Sequence, residues 1–384
     1  MSRRLLYGMI GGGPGAFIGG VHRIAAALDN EAELVCGSFS SSFEKTAETA
    51  KQLYIAPERA YATYQEMIEK ESLLPEGERM DFVAIVTPNH LHFEPAKLAM
   101  EQGFHVICDK PATFDTAQSV ALSKIAKETG MEFALTHTYT GYPMVKQAVQ
   151  MIKDGAFGKV RKVVVEYPQG WMSTDVENTD NKQAGWRSDP SKSGKAGAVG
   201  DIGTHAANLA ETITGLSITE VAADVSRMVE GRKLDDDANV LIRFNNGAKG
   251  VLHCSQICAG EENDVNIRVW GEKGGLEWHQ HEPNSMKVKW LDQPTQIYRT
   301  GKEYMSDLAA ANTRTPWGHP EGYLEAFANL YNNFISVVRK RIDGATFSEI
   351  QSRDFPGIED GIKGMKFIDA VIESGENNAA WRKI

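Results

Sequence analysis

Cysteine is scarce: four in 384 residues (Cys36, Cys108, Cys254, Cys258), none in a C-x-x-C spacing. That excludes a disulfide scaffold and the common zinc ribbons, and reduced, mostly buried thiols in a cytoplasm are the expectation. Long apolar runs are also missing, since none approaches the roughly 20 residues of a membrane span. The only leader-like stretch, Arg3-Arg4 before Leu5 to Ile10, is brief and runs into glycines without an A-x-A site. It reads as a first strand. Positive charge is in deficit: 41 Lys and Arg stand against 51 Asp and Glu, a formal net charge of -10. Nucleic acid and anionic membrane are therefore excluded as main partners. No repeat, low-complexity tract or heptad run is present.

What is there is enough chain for two cores. The expected division is 1–137 and 138–384. Leu5 to Ile10 reads as a strand, Gly11-Gly12-Gly13-Pro14-Gly15 as a turn, and Ile18 to Leu28 as a helix. Strand, glycine turn and helix are the context of a dinucleotide fingerprint, in which the backbone approaches a pyrophosphate at a helix amino terminus. Gly11-x-Gly13-x-x-Ala16 fits the variant with a small third residue, and Gly19 is the other candidate for that third place. After the second strand, Glu33 to Gly37, come Ser38-Phe39-Ser40 with neither the acid of an NAD site nor the arginine of an NADP site. The choice stays open, with a slight preference for NAD.

The third strand, Phe82 to Val86, ends in Thr87-Pro88-Asn89-His90-Leu91-His92. The next, His105 to Cys108, ends in Asp109-Lys110-Pro111. A right-handed crossover between them delivers Asn89, His92 and Lys110 to one sheet edge, where α/β sheets bind their ligands. His90-x-His92 is read as a cofactor-facing turn, because no further ligand has metal-site spacing.

Beyond residue 137 the reading is a helix (Val145 to Lys153), a strand (Val160 to Tyr167) and a long polar loop (Gly170 to Gly200) carrying Trp171, Trp186 and Arg187. Rings and a guanidinium suit a sugar-like ligand. Asp201-Ile202-Gly203-Thr204-His205 then opens a helix that stops at Gly215. An acid and an imidazole four apart share a helical face and could act as orienter and base. Six strands follow between Glu220 and Leu291, with Asn245-Asn246-Gly247 as a hairpin turn, and then two helices, Glu321 to Arg341 and Gly357 to Ser374. Asp235-Asp236-Asp237 is expected to be a solvated loop, and His279-x-His281 a sheet edge.

With these motifs assembled, the chain resembles the glucose–fructose oxidoreductase, inositol dehydrogenase and rhizopine-catabolism (Gfo/Idh/MocA) family. The motifs that carry the resemblance are the glycine turn ending in His22, Thr87 to His92, Asp109-Lys110-Pro111, Asp154-Gly155 with Gly158-Lys159-Val160, Trp186-Arg187, and Asp201-x-Gly203-x-His205. The resemblance implies an α/β protein with an N-terminal Rossmann domain and a C-terminal α/β domain built on a large, mainly antiparallel open sheet. It implies NAD or NADP held by Gly11, Gly13, Gly15, Ala16, Phe17, Ile18, Ser38, Thr87, Pro88, Asn89, His92, Asp109 and Lys110, with Trp186 and Arg187. It implies Lys110, Asp201 and His205 as catalytic residues, and a sugar or polyol against Lys110, Tyr139, Trp171, Arg187, Asp201 and His205. Family members usually carry Glu where this chain has Asp109. The expected protein is a cytoplasmic homodimer or homotetramer without a metal. The alternatives are an NAD-retaining glycosidase or lyase working by transient oxidation, and a dinucleotide-binding sensor.

Overall fold

The computed structural model describes residues 3–350 and 352–384. The first part runs β1 (Leu5–Gly11), α1 (Phe17–Leu28), β2 (Ala32–Ser38), α2 (Phe43–Gln52), α3 (Tyr64–Ser72), β3 (Phe82–Val86), α4 (Phe93–Glu101), β4 (His105–Cys108), α5 (Thr116–Thr129) and β5 (Phe133–Leu135). The chain continues through α6 (Pro143–Lys153), β6 (Lys162–Pro168), α7 (Lys182–Arg187), α8 (Pro190–Ser193) and α9 (Thr204–Thr214). Then come β7 (Ile218–Ser226), β8 (Asp237–Phe244), β9 (Lys249–Ser255), β10 (Asn266–Trp270), β11 (Gly274–His279), β12 (Ser285–Trp290) and β13 (Gln296–Arg299). The last elements are α10 (Asp307–Ala310), α11 (Tyr323–Ile342), α12 (Ile358–Glu376) and β14 (Arg382–Lys383).

Two compact units result: Met1–His137 with Phe327–Ile362, and Thr138–Ala326 with Lys363–Ile384. The first unit holds a parallel sheet in the order β2-β1-β3-β4-β5. β3 is buried along its whole length, as its continuous apolar run requires of a central parallel strand. The expectation of one second domain over 138–384 needs correction for Phe327–Ile362. Phe327, Tyr331 and Phe334 form one apolar stripe of α11. Phe327 and Tyr331 pack on His22 at ring distances of 4.7 and 5.8 Å, and Phe334 packs on Phe82 at 5.3 Å. Burying those rings on β3 and α1 draws the segment into the first unit.

The second unit is built on a nine-stranded sheet in the order β13-β12-β11-β10-β6-β9-β8-β7-β14. It is antiparallel except for β6 and β9, which run parallel in register from Lys162↔Lys249 to Pro168↔Ser255. β13 and β14 lie beyond the six strands expected from the sequence. Gly247 turns the β8–β9 hairpin at φ 89°. The helices α6 and α9 pack on one face of the sheet, where Val145, Ala148, Ala206 and Leu209 join Val163, Val165, Leu252 and Ile267 in one core. Gly170 to Gly200, expected as a loop, contains α7 and α8. Asn181 and Asp189 cap them by accepting first-turn N–H groups, which lets such short helices persist. Among the described residues no helix is long and apolar enough to cross a membrane, and all four cysteines are free thiols.

Candidate active site

In the first unit the candidate residues collect at the carboxyl edge of the parallel sheet. The glycine turn has Gly11, Gly12 and Gly15 at positive φ, which L side chains rarely adopt. Gly19 settles which residue is the third glycine: a Cβ there would lie 2.4 Å from the Gly12 Cα, so α1 approaches the turn only because residue 19 has no side chain. Ala16 is the residue before α1 and offers no side-chain cap, leaving the first-turn N–H groups to another acceptor. Phe17 is exposed and Ile18 half-buried. Arg23, which sequence reasoning passed over, braces the turn by donating to the Gly12 carbonyl at 2.9 Å. A glycine cradle that excludes Cβ atoms, ending in an uncapped helix, fits a dinucleotide pyrophosphate. Ser38 is buried at the end of β2.

The next two strand ends are tied together by His92. Its imidazole is fully buried, with Nδ1 2.8 Å from the Pro111 carbonyl and Nε2 2.8 Å from the Thr87 carbonyl. Both ring nitrogens thus meet backbone, so His92 fixes the Thr87–Pro88–Asn89 turn against the Lys110–Pro111 turn. Asp109 and Lys110 follow β4 and are half-buried. The Asp109 carboxylate accepts from the Thr136 hydroxyl at 2.7 Å and lies 4.0 Å from His22 Nε2. The far nitrogen of His22 is bonded to the Tyr331 hydroxyl at 2.7 Å. Burial works to raise the Asp109 pKa, but His22, Lys110 and Thr136 outweigh it and hold the carboxyl well below the usual range.

His137 closes this edge. Burial, and then the charge of Lys110, bring its pKa down to about 3. Burial likewise lowers His105 to about 4 and lowers His92. His137 and His105 are therefore neutral in the fold near neutral pH, whereas an unfolded histidine titrates near ~6.5. Their contribution to stability is therefore complete above that pH and is lost as pH falls from there toward the folded values. The unfolded state alone takes up the protons, at about 1.4 kcal/mol per pH unit for each such group. Thermal unfolding should show the melting temperature dropping between pH 7 and pH 5, and less steeply in a His137→Gln protein. An identical slope in that variant would count His137 out as a contributor.

In the second unit the parallel pair β6 and β9 ends at one edge, where Gln169 N–H donates to the Ser255 carbonyl at 2.8 Å. Over that edge the chain makes a π-helical turn, Val199–Gly203, leading into α9. Asp235, expected in solvent, is buried and builds the turn: its carboxylate accepts the N–H groups of Gly197 at 2.6 Å and Val199 at 2.7 Å. Asp236 is buried too, accepting from Met228 N–H at 2.8 Å and from Arg232 at 3.2 Å. Arg232 also reaches the Met172 and Thr174 carbonyls at 2.9 and 3.1 Å, fixing the segment next to Trp171. Asp235 and Asp236 are thus buried organisers of loops, because backbone N–H groups and, for Asp236, Arg232 satisfy the charge.

The turn presents Asp201, and α9 presents His205. Asp201 Oδ2 lies 3.3 Å from Arg187 Nε and accepts from the Gln256 amide at 2.8 Å. Arg187 stacks over the Trp186 ring at 4.4 Å. His205 is buried, edge-on to the Tyr139 ring at 5.0 Å and 6.3 Å from that of Tyr167. Tyr139 and Tyr167 share a hydrogen bond between their hydroxyls. Trp171 donates through Nε1 to Gln169 at 2.9 Å. Every second-unit residue expected at the site therefore falls in one neighbourhood. Tyr167, Gln169, Gln256 and Asn263 belong to it as well. The readable signal for two of them was a glutamine just past each of two strand ends.

Known proteins resemble this chain over its whole length. Residues 5–139 match the oxidoreductase family with an NAD-binding Rossmann fold, and residues 145–277 match the GFO/IDH/MocA C-terminal domain. The uncharacterized oxidoreductase YfiI of Bacillus subtilis (strain 168) is 32% identical over 99% of this chain and 97% of its own. The chain belongs to the Gfo/Idh/MocA family of oxidoreductases. An oxidoreductase of known structure from Sinorhizobium meliloti is 44% identical, covering 100% of both chains with a TM-score of 0.89. An inositol dehydrogenase homolog from Azotobacter vinelandii, solved in complex with NADH and myo-inositol, is 30% identical over 100% of this chain and 98% of its own, with a TM-score of 0.91. This member of the family is accordingly an NAD(P)-linked oxidoreductase, and its glycine turn, Asn89 and Lys110 stand on the edge of a Rossmann sheet.

Proposed function

We propose that the protein oxidises a secondary alcohol of an uncharged sugar, cyclitol or glycoside, and reduces the corresponding ketone. The observation that carries this reading is the Asp201 carboxylate, held between Arg187 and Gln256 one turn before the buried His205. Around that pair the second unit offers phenols and amides, Tyr139, Tyr167, Gln169 and Asn263, which suit hydroxyl groups. The guanidinium of Arg187 is matched by Asp201, so no charge in this cluster calls for a phosphate or carboxylate. The myo-inositol complex of the A. vinelandii protein supports the same class.

Bound NAD(P) supplies the hydride acceptor or donor. The glycine turn, Asn89 and Asp109 would hold the dinucleotide. His205 takes the hydroxyl proton, or returns it in the reverse direction, and Asp201 orients the imidazole and favours its protonated form. Lys110 bonds the reacting oxygen and stabilises developing alkoxide charge. A panel of sugars, inositols, glycosides and 3-keto sugars, followed as NADH or NADPH absorbance, tests the proposal. A neutral polyol should give stoichiometric nucleotide reduction. Product formed with no net change in nucleotide would overturn it in favour of a lyase or glycosidase.

A further inference from the structure

We propose that Gln256 is a positioning residue for Asp201, locked in that role by a hydrogen-bonded chain that starts at Tyr139. The proposal rests on the reading of Asp201 and His205 as the acid–base pair. The chain runs through named bonds. Tyr167 donates its hydroxyl proton to Asn263 Oδ1 at 2.8 Å, and Asn263 Nδ2 donates to the Tyr139 oxygen and to Gln280 Oε1, both at 3.2 Å. Gln169 Nε2 donates to the same Asn263 oxygen. Gln169 Oε1 then accepts from Trp171 Nε1 at 2.9 Å and from Gln256 Nε2 at 3.4 Å. The other proton of Gln256 goes to Asp201 Oδ2 at 2.8 Å.

Counting protons fixes every orientation. A phenol has one proton, and that of Tyr167 is spent on Asn263, so the proton between the two tyrosines belongs to Tyr139. With Asn263 Oδ1 taking two donors, its Nδ2 must face Tyr139 and Gln280. Gln169 must then turn its nitrogen to Asn263 and its oxygen to Gln256. Gln256 is left with one choice, both N–H bonds outward, one of them to Asp201. Such a chain polarises along its length, and each member limits the rotation of the next. Gln256 is only 2% exposed, so water does not compete for its amide.

Among the described residues, the titratable and charged groups around this cluster include Arg187 of α7, His205 of α9, Tyr139, Tyr142, Tyr167 of β6, Asp264 and Tyr323. Of these, Arg187 and Gln256 both address Asp201 Oδ2. Gln256 differs from the cation in direction and neutrality: it aims the carboxylate without cancelling its charge, so the anion still acts on His205.

The experiment is a carbon-13 NMR titration of histidine-labelled protein, with the His205→Asn spectrum assigning the His205 resonance. Gln256→Leu removes the amide donor to Asp201, and the His205 midpoint should fall by up to about one pH unit. Gln256→Met keeps the volume and removes the donor, and the midpoint should fall. Turnover in Gln256→Met should drop by about tenfold to a hundredfold, the scale of one hydrogen bond to a charged group. Circular dichroism melting reports folding. Where either variant fails to fold, Gln169→Met frees the Gln256 amide and should lower the midpoint in the same direction. Wild-type midpoints in the folded variants would overturn the proposal, even with melting temperatures lowered. If instead the His205→Asn protein keeps its turnover, the acid–base reading fails, and the titration still decides whether Gln256 acts on His205.

Discussion

Replacing Lys110 by alanine is expected to lower kcat by about 10²–10⁴-fold while folding and NAD(P) affinity stay close to wild type. On the barrier scale that loss is about 3–5 kcal/mol. The residue lies one position past Asp109, whose N–H bonds the Ile85 carbonyl at 2.9 Å, so the parallel register carries the chain straight to the sheet's carboxyl edge. Its side chain is half-buried, so truncation opens no core cavity. Dinucleotide affinity should survive because the glycine turn is braced independently, by Arg23 and by the close approach of Gly19. What is removed is a cation whose field already reaches His137. Lys110→Arg should restore little, because a planar fork does not replace a compact ammonium at a single oxygen. Steady-state turnover, a fluorescence titration with nucleotide and a melting curve suffice. Near-normal turnover in a folded Lys110→Ala protein would sink the assignment.

How far the sequence carried this reading differs by element. β3, β4 and the glycine turn were legible because a buried parallel strand is a continuous apolar run, and glycine and proline punctuate its end. The choice between Ala16 and Gly19 was not, since it depends on how closely α1 approaches Gly12, a distance no spacing encodes. Asp235 and Asp236 misled for a related reason. A run of acids reads as solvated unless the partners are known, and here they are backbone N–H groups of Gly197, Val199 and Met228 together with Arg232. Lys110, Asp201 and His205 were singled out through motifs that bear their own chemistry. Tyr167, Gln169, Gln256 and Asn263 were missed because phenols and amides are ordinary one by one. Only the parallel pairing of β6 with β9 brings Gln169 and Gln256 together. The return of Phe327–Ile362 to the first unit is tertiary in the same sense, as the stripe on α11 shows that the helix packs but not on what.

The second large effect is expected at His205. His205→Asn should lower kcat by about 10²–10⁴-fold and leave nucleotide affinity unchanged, since the imidazole sits among Tyr139 and Tyr167 of the second unit. Asparagine keeps a hydrogen-bonding tip but cannot cycle a proton near neutrality, so the loss should fall on turnover more than on KM. Asp201→Asn should cost less. On the proposed mechanism it removes the charge that favours protonated His205, yet Gln256 and Arg187 remain to hold the turn, which Asp235 anchors from the other side. The decisive measurement is the double variant. If Asp201 acts through His205, the pair should be no slower than His205→Asn alone, because the orienter has nothing left to orient. Fully additive losses would give Asp201 a separate task, such as binding a substrate hydroxyl. Lost nucleotide affinity in His205→Asn would instead make the histidine a structural part of α9.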